Sequence, residues 1–329
     1  MARKTKQHNI TNEEKLTRVC QENTELLTDY LGYLQSIDRA PTTIKQYRNA
    51  LEIFFVYNLE NNGNKRFTEI TKRDFARFQN FALNVWEWSP KRIRMVKSVI
   101  SSLSNYIENI LDEEEAYKGY RSIINKIESP VNVTVREKSI FTEPELKSLL
   151  DYLVSRREYR KAAVLALAMY SGRRKSELPR FKADYFTDNN VIFGTLWKTP
   201  ERIRTKGRGA KGKQIYCYVL KREFEPYLRL WLHERRRKGI ESEWLFPSSR
   251  DASKPLNIDT LDDWAEEFTE FLHKDFYWHS MRHFFTTKLA REKVPVNVIK
   301  DIIQWESVEM VSLYTDITAD ENIGRYFSA

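Results

Sequence analysis

The sequence is poor in several residue types that define special classes of protein. Its 329 residues include only two cysteines, Cys20 and Cys217, too few for a disulfide framework or a zinc ribbon. Ten glycines and ten prolines exclude collagen-like and low-complexity chains. The longest apolar run, Ala162–Tyr170, has nine residues, whereas a membrane span needs about 20. Because no apolar stretch follows the basic first residues, we predict a soluble intracellular protein without a signal peptide.

Apolar and aromatic residues are plentiful enough for a folded protein. Hydrophobic residues make up 41% of the chain and aromatic residues 13%, which excludes an intrinsically disordered polypeptide. The chain is also longer than a typical domain of roughly 100–200 residues. We therefore predict two domains, each with its own hydrophobic core.

Positive charge is in excess and is concentrated in a few segments. The chain has 55 lysines and arginines against 46 acidic residues, a formal net charge of +9. The segment Trp197–Lys213 alone contains seven basic residues and one acidic residue, and residues 91–97 contain a second basic cluster without an acid. Separated basic clusters favour a polyanionic partner, most commonly nucleic acid, over a merely solvated surface. The predicted DNA-binding residues are Lys91, Arg92, Arg94, Lys97, Arg202, Arg204, Arg208, Lys211 and Lys213.

The spacing of apolar residues divides the chain into a helical first half and a mixed second half. In the first half, apolar residues recur at helical intervals, as in Leu27, Leu31 and Leu34. In the second half, strand-like composition occurs at Val191–Trp197 and Gln214–Leu220, among further helices. We predict a basic N-terminal arm (1–20), an all-α domain (21–128), an extended linker (129–139), and a mainly helical α+β domain with a small antiparallel sheet (140–329), whose tail begins near residue 319.

Five separated pieces of the second half combine guanidinium, amine, imidazole, indole and phenol groups. A phosphodiester is anionic, so guanidiniums that donate to its oxygens in a fork geometry stabilise attack at the phosphorus. A tyrosine hydroxyl next to a base can make that attack. These groups are therefore of the types that phosphoryl transfer on a nucleic acid needs. In chain order, the pieces contain Arg174, Lys206, His279, Arg282, Trp305 and Tyr314, which the resemblance described next makes the predicted catalytic residues.

These pieces resemble the motifs of the tyrosine recombinases, the phage-integrase family. The family pattern is T-G-x-R-x-x-E-L, a lysine in a β-hairpin, H-x-x-R-H, a histidine or tryptophan, and a tyrosine nine residues later. Ser171–Leu178 resembles the first motif and His279–His283 matches the second, with Tyr314 nine residues after Trp305. The first half resembles the family's core-binding domain at Pro41–Tyr47, and the whole resemblance covers roughly residues 24–316.

The resemblance implies a reaction that needs neither ATP nor a metal or other cofactor. The two arginines would hold the non-bridging oxygens, and the tyrosine would attack to give a 3′-phosphotyrosine intermediate. The histidine would take the proton of the tyrosine, and the hairpin lysine would protonate the departing 5′-oxygen. The tryptophan would donate its indole N–H to a phosphate oxygen.

Several assignments have competing interpretations. Glu177 is expected to be a structural partner of an arginine rather than a catalytic acid. His283 is expected to support the site rather than bind zinc, because the residues between it and His279 lack the glutamate of H-E-x-x-H. Lys211 is the alternative to Lys206 as the proton donor. Arg173 stands where the family usually has an apolar residue, so it could be confused with its catalytic neighbour.

Together these features predict a site-specific DNA recombinase, an integrase or resolvase of a phage or other mobile element. Its expected partners are duplex DNA with specific recombination sites, three further copies of the chain in a synaptic homotetramer, and accessory DNA-bending proteins. The expected location is the cytoplasm of a prokaryotic host, on the nucleoid, with no membrane association. The alternatives are a type IB topoisomerase-like enzyme that relaxes DNA and a catalytically silent architectural DNA-binding protein.

Overall fold

The computed structural model describes residues 8–131, 139–205 and 212–314. These residues belong to two compact units, with 8–131 in the first and the remainder in the second. The residues outside the described ranges include most of the predicted linker at 129–139, residues 206–211 with Lys206, and the tail from residue 319. Within the described ranges, no helix has the length and apolar character needed to cross a membrane.

Helices make up the regular structure described in the first unit. Their starts follow local sequence signals: Pro41 and Pro90 stand in first turns, and the side-chain oxygens of Thr71 and Ser89 cap helix N-termini. Packed aromatic rings surround the fully buried Trp88 in the core. The helices are α1 (Glu13–Thr17), α2 (Gln21–Ser36), α3 (Pro41–Asn61), α4 (Lys72–Asn84) and α5 (Pro90–Ile110).

The segment 8–20 differs from the predicted arm. It contains α1, and Ile10 and Val19 on either side of that helix are buried in the core of the first unit. The Nε2 atom of His8 lies 2.8 Å from the carbonyl oxygen of Trp86. The prediction was wrong for these residues because a few apolar side chains among many charged ones give no periodic pattern.

The second unit is built around a helix that is almost completely buried. In α7 (Tyr159–Ser171), every residue from Ala162 to Ser171 is buried, which matches the apolar run seen in the sequence. It packs against neighbouring helices and against the strand that precedes α8. The other helices are α6 (Glu143–Ser155), α8 (Lys221–Arg237), α9 (Ile258–Leu272), α10 (Trp278–Arg291), α11 (Val296–Ile303) and α12 (Glu309–Tyr314).

Five short strands form two small antiparallel sheets in the described part of the second unit. Strands β1 (Val191–Ile192), β2 (Leu196–Lys198) and β5 (Tyr218–Leu220) form one sheet in the order β1-β2-β5. Strands β3 (Ile203–Arg204) and β4 (Gln214–Ile215) pair with each other.

The predicted bounds of two strands were wrong. The stretch Val191–Trp197 is a hairpin, because Phe193 and Gly194 adopt φ values of 52° and 70° and reverse the chain. Gln214–Leu220 divides into β4 and β5, which belong to different sheets. Composition identified strand-forming residues but not the turns between them.

Candidate active site

The turn after α7 places two consecutive arginines beside α10 and α11. α7 ends immediately before Gly172, whose φ of 60° lies in the left-handed region that favours glycine. A Cβ atom on Gly172 would lie 2.6 Å from Cδ1 of Phe285 and 2.8 Å from Cδ1 of Ile303. The close approach therefore requires glycine, and it fixes where the two arginines that follow begin.

Arg174 is held by a buried carboxylate and a threonine hydroxyl. Its Nη1 donates to Oε1 of Glu177 at 3.0 Å and to Oγ1 of Thr205 at 3.1 Å, and its backbone N–H donates to Oε2 of Glu177 at 3.1 Å. The hydroxyl of Thr205 in turn donates to Glu177. The Arg174 side chain remains 29% exposed. Glu177 and Thr205 therefore orient its guanidinium, and part of the side chain stays accessible.

Glu177 stays ionised although it is fully buried. Burial raises the pKa of this carboxyl, but the charge of Arg173, the Thr205 hydrogen bond and the charge of Arg174 lower it more, so the pKa lies below its usual value. A buried carboxylate with these partners is suited to positioning an arginine rather than to donating a proton. This agrees with the structural role expected for Glu177.

Tyr314 lies against two histidines of α10. Its hydroxyl oxygen is 2.7 Å from Nε2 of His279, which is hydrogen-bonding distance. The ring of His283 stacks on the tyrosine ring, with 4.5 Å between centroids and 24° between planes. The three residues are brought together by packing of α10 against α12, with His279 and His283 one helical turn apart.

Arg282 is buried with only part of its donor capacity used. Its Nη1 donates to the carbonyl oxygen of Gly172 at 3.1 Å, while Nε and Nη2 are buried without a hydrogen-bond partner among the described residues. The guanidinium lies 4.8 Å from the ring centroid of Trp305 and 5.9 Å from that of Tyr314. Burial, together with the charges of Arg173 and Arg174, lowers the pKa of Arg282 to about 9. An anion bound here would satisfy the free donors and offset the uncompensated charge.

The structure therefore places five of the six predicted catalytic residues in one cluster. Trp305 is 7% exposed and its ring centroid lies 4.8 Å from that of Tyr314. Lys206 lies outside the described residues, as does its alternative, Lys211. Strands β3 and β4 lie on either side of residues 206–211 in the sequence. Thr205, which directly follows β3, accepts a hydrogen bond from Arg174.

The predicted DNA-binding residues near residues 206–211 differ in their surroundings. Arg202 and Arg204 are exposed, and the guanidinium of Arg202 lies 5.4 Å from the ring centroid of Tyr216. Lys213 donates to Oε1 of Glu306 at 2.8 Å. Arg208 lies outside the described residues.

Three of the four predicted DNA-binding residues of α5 have partners within the first unit. The guanidinium of Arg92 lies 4.2 Å from the ring centroid of Trp88, and Nε of Arg94 donates to the carbonyl oxygen of Pro130 at 2.9 Å. Lys97 donates to the carbonyl oxygen of Ile127 and to the hydroxyl of Ser129. Lys91 is exposed. The cluster thus anchors residues 127–130 as well as presenting charge.

Two residues of the site were not assigned a role from the sequence. Thr205 is buried and links Arg174 to Glu177, and its position directly before Lys206 is the only sequence signal for it. Arg173 is fully buried, whereas its charge favoured an exposed position. Among the described residues, no group of three or more His, Cys, Asp or Glu side chains is arranged to hold a metal ion.

Comparisons with known proteins match most of the chain and its fold. The model of the phage integrase family matches residues 139–321. The SPbeta prophage-derived recombinase-like protein YomM of Bacillus subtilis is 29% identical over 90% of this chain and 84% of its own length. The tyrosine recombinase XerC of Oceanobacillus iheyensis is 27% identical over 90% and 93%. The crystal structure of the XerH site-specific recombinase in a post-cleavage complex with palindromic difH substrate has a TM-score of 0.69 and 17% identity, covering 96% and 87%. This likeness confirms the predicted mainly helical fold with small antiparallel sheets.

Proposed function

The chain belongs to the phage integrase family and is a tyrosine-type site-specific recombinase, and from that premise we propose that Tyr314 is its nucleophile. The observation that supports this most directly is the 2.7 Å distance between the Tyr314 hydroxyl and Nε2 of His279. A nucleophile within hydrogen-bonding distance of a base is the arrangement that attack on an ester requires.

In the proposed reaction, the hydroxyl of Tyr314 attacks a phosphodiester of DNA. A bond forms between phosphorus and the tyrosine oxygen, and the bond from phosphorus to the 5′-oxygen breaks. His279 takes the tyrosine proton, and Lys206, or Lys211 in its place, supplies a proton to the 5′-oxygen. The 3′-phosphotyrosine keeps the energy of the broken bond, so a 5′-hydroxyl can reverse the step and rejoin DNA without ATP.

Arg174 and Arg282 stabilise the charge that develops at the phosphorus. Arg282 has two buried nitrogens without a hydrogen-bond partner in the described part of the chain, and Arg174 is held by Glu177 while its side chain stays partly exposed. Donors that are fixed before the charge develops lower the barrier most effectively. Trp305 packs beside Arg282, where its indole N–H contributes a further donor, and His283 supports the nucleophile by stacking.

We also propose that the nine basic residues predicted to bind DNA contact the DNA backbone around the cleavage point. In the first unit, within the proposed core-binding domain 21–128, these are Lys91, Arg92, Arg94 and Lys97. In the second, within the proposed catalytic domain 140–329, they are Arg202, Arg204, Arg208, Lys211 and Lys213. Phosphate contacts of this kind set the affinity and the position on the duplex rather than the sequence that is recognised.

The proposed assembly is a homotetramer on two recombination sites that exchanges strands in pairs. Accessory DNA-bending proteins are further proposed partners, and the cytoplasm of a prokaryotic cell, on the nucleoid, is the proposed location. The similarity to a prophage-derived protein supports a phage or other mobile element as the source of the DNA sites.

A covalent-trapping experiment tests the proposed function. Wild type, Tyr314→Phe and the control Tyr326→Phe are incubated with nicked suicide DNA that contains the ends of the element. We expect wild type and Tyr326→Phe to give a denaturation-resistant adduct, mapped to Tyr314 on a 3′-phosphate, and Tyr314→Phe to bind DNA without an adduct.

Other outcomes would contradict it in distinguishable ways. Specific binding by wild type without any adduct, on several verified sites, would favour an architectural protein. Relaxation of supercoiled plasmid by a monomer, without recombinant products, would favour a topoisomerase-like enzyme. An adduct mapped to another tyrosine would leave the reaction class intact and move the nucleophile.

A further inference from the structure

Arg173 is a fully buried arginine immediately next to Arg174. Its exposed fraction is 0%, against 29% for the side chain of Arg174. A guanidinium withdrawn from water destabilises a fold unless its donors and its charge are compensated. The position is thus costly to occupy with arginine unless the side chain has a specific role.

The donors of Arg173 reach three separate segments of the chain. Nε donates to the carbonyl oxygen of Ser171 at 3.1 Å, and Nη2 donates to that of Ile302 at 3.1 Å. Nη1 lies 3.6 Å from Sγ of Cys217. Ser171 ends α7, Cys217 lies between β4 and β5, and Ile302 lies in the last turn of α11, three residues before Trp305. One side chain therefore connects the turn that leads to Arg174 with the helix that leads to Trp305.

Arg173 also supplies charge behind the carboxylate that orients Arg174. The charge of Arg173 is the largest single interaction that opposes the effect of burial on the pKa of Glu177. An ionised Glu177 accepts hydrogen bonds from the backbone and guanidinium of Arg174 and from Thr205. Removing the charge of Arg173 would weaken the ionised state that holds Arg174 in place.

We propose that Arg173 is a positioning residue for recombination, which fixes Arg174 and Trp305 relative to Arg282 without contacting the DNA. The inference rests on the proposed function, since it assigns Arg173 a role in the same reaction. It predicts that substitutions of Arg173 slow the covalent step in DNA-bound protein and leave DNA affinity unchanged.

The second unit contains a matched control for this test. Arg235 in α8 is also buried and also donates to three positions, the carbonyl oxygens of Ser242, Trp244 and Leu245, at 2.6–2.9 Å. These acceptors lie within residues 242–245 and include none of the clustered site residues. Substitutions of Arg235 therefore reproduce the loss of a buried, bridging arginine without disturbing the site.

The experiment compares Arg173→Met and Arg173→Lys with Arg235→Met and Arg235→Lys. The measurements are the rate of adduct formation on nicked suicide DNA at saturating DNA, the DNA dissociation constant and the thermal midpoint of unfolding. We expect Arg173→Met to slow adduct formation by about 10- to 100-fold, the scale expected when reacting groups are misplaced. Arg173→Lys should restore part of the rate because it keeps the charge near Glu177. The Arg235 variants should lose stability and keep the wild-type rate.

The inference is overturned if the Arg173 variants form adducts as fast as the Arg235 variants of comparable stability, or if their defect disappears when DNA is saturating. If Arg173→Met does not fold, the two lysine variants alone decide the question. Failure of wild type itself to form an adduct would count against the proposed function and would be seen before any variant is compared.

Discussion

Arg235 and Arg282 are both buried in the second unit, but the fold uses their donors differently. Arg235 donates to three backbone carbonyl oxygens near the end of α8. Arg282 donates to one, and two of its nitrogens have no hydrogen-bond partner among the described residues. The first arginine completes a local structure, whereas the second keeps donors available for an anion. A buried donor without a partner destabilises the folded chain, so its presence at the site indicates a ligand that the protein must bind.

The largest expected effect on the reaction comes from replacing the guanidinium of Arg282 by an ammonium. In Arg282→Lys the charge remains, but an ammonium cannot present the fork of donors that spans two phosphate oxygens. We expect adduct formation to slow by about 10²–10³-fold, or about 3–4 kcal/mol in the barrier, as for loss of one preorganised donor in other enzymes. Single-turnover adduct formation on suicide DNA measures the rate, and thermal unfolding serves as the control, with a midpoint near that of wild type. A rate equal to that of wild type would show that the free donors of Arg282 do not act in the reaction.

The next largest effect is expected at Arg235, where a substitution should lower stability but leave the rate of adduct formation unchanged. Arg235→Met leaves the carbonyl oxygens of Ser242 and Trp244 without the donor that Arg235 supplies, whereas that of Leu245 keeps the Trp231 indole N–H. We expect the free energy of unfolding to fall by about 3 kcal/mol. Denaturation in urea measures this, and adduct formation per folded molecule should equal that of wild type. A slowed reaction in the folded variant would mean that the α8 region and the active site are coupled, and the comparison of the two arginines would no longer hold.

A pair of glycines sharpens the comparison at the level of the backbone. Gly172 and Gly239 have φ values of 60° and 62°, but a Cβ on Gly172 would meet Phe285 and Ile303, whereas nothing lies within 4 Å of one on Gly239. We expect Gly172→Ala to lower the free energy of unfolding by about 2 kcal/mol, through backbone strain and overpacking. It should also slow adduct formation, because the Gly172 carbonyl accepts from Arg282. Gly239→Ala should show only the smaller effect of strain. Equal effects on stability and rate would mean that close packing at the turn is unimportant.

The sequence predicted the members of the site better than the contacts that build it. Motif order and spacing identified Arg174, His279, Arg282, Trp305 and Tyr314, which the structure brings together. The identification depended on resemblance, since His279 and Tyr314 are 35 positions apart in the sequence and no local signal indicates that their side chains meet.

Features that depend on contacts distant in sequence were not predictable. Arg173 is buried because its acceptors include Ile302, 129 residues away, and a local pattern reports only that a charged residue is present. Lys97 likewise donates to Ile127 and Ser129, which follow it by 30 and 32 residues and lie beyond the end of its own helix. Helices were predicted well where caps and apolar spacing agree, as at Ser89 and Pro90, because those signals are local. The hairpin at Phe193 and Gly194 was missed because β-branched and aromatic residues on both sides conceal a three-residue turn.

The smallest expected effect concerns Glu177, the buried carboxylate that accepts from Arg174. Thr205→Val removes the hydroxyl that donates to Glu177 and accepts from Arg174, and we expect a loss of about 1 kcal/mol in stability at neutral pH. Because the pKa of Glu177 is lowered in the folded protein, its contribution is present above the ordinary value of 4.5 and is lost as the pH falls through the folded value.

Removing a hydrogen bond to the ionised form raises the folded pKa towards 4.5, so acid destabilisation of Thr205→Val should be complete at a higher pH than in wild type. Thermal midpoints between neutral pH and pH 3 measure the difference. Arg235→Lys is the control, since it leaves the surroundings of Glu177 unchanged and should keep the wild-type pH dependence. A Thr205→Val curve parallel to that of wild type would mean that the hydroxyl does not stabilise the charged carboxylate, and that the charges of Arg173 and Arg174 are sufficient to keep Glu177 ionised.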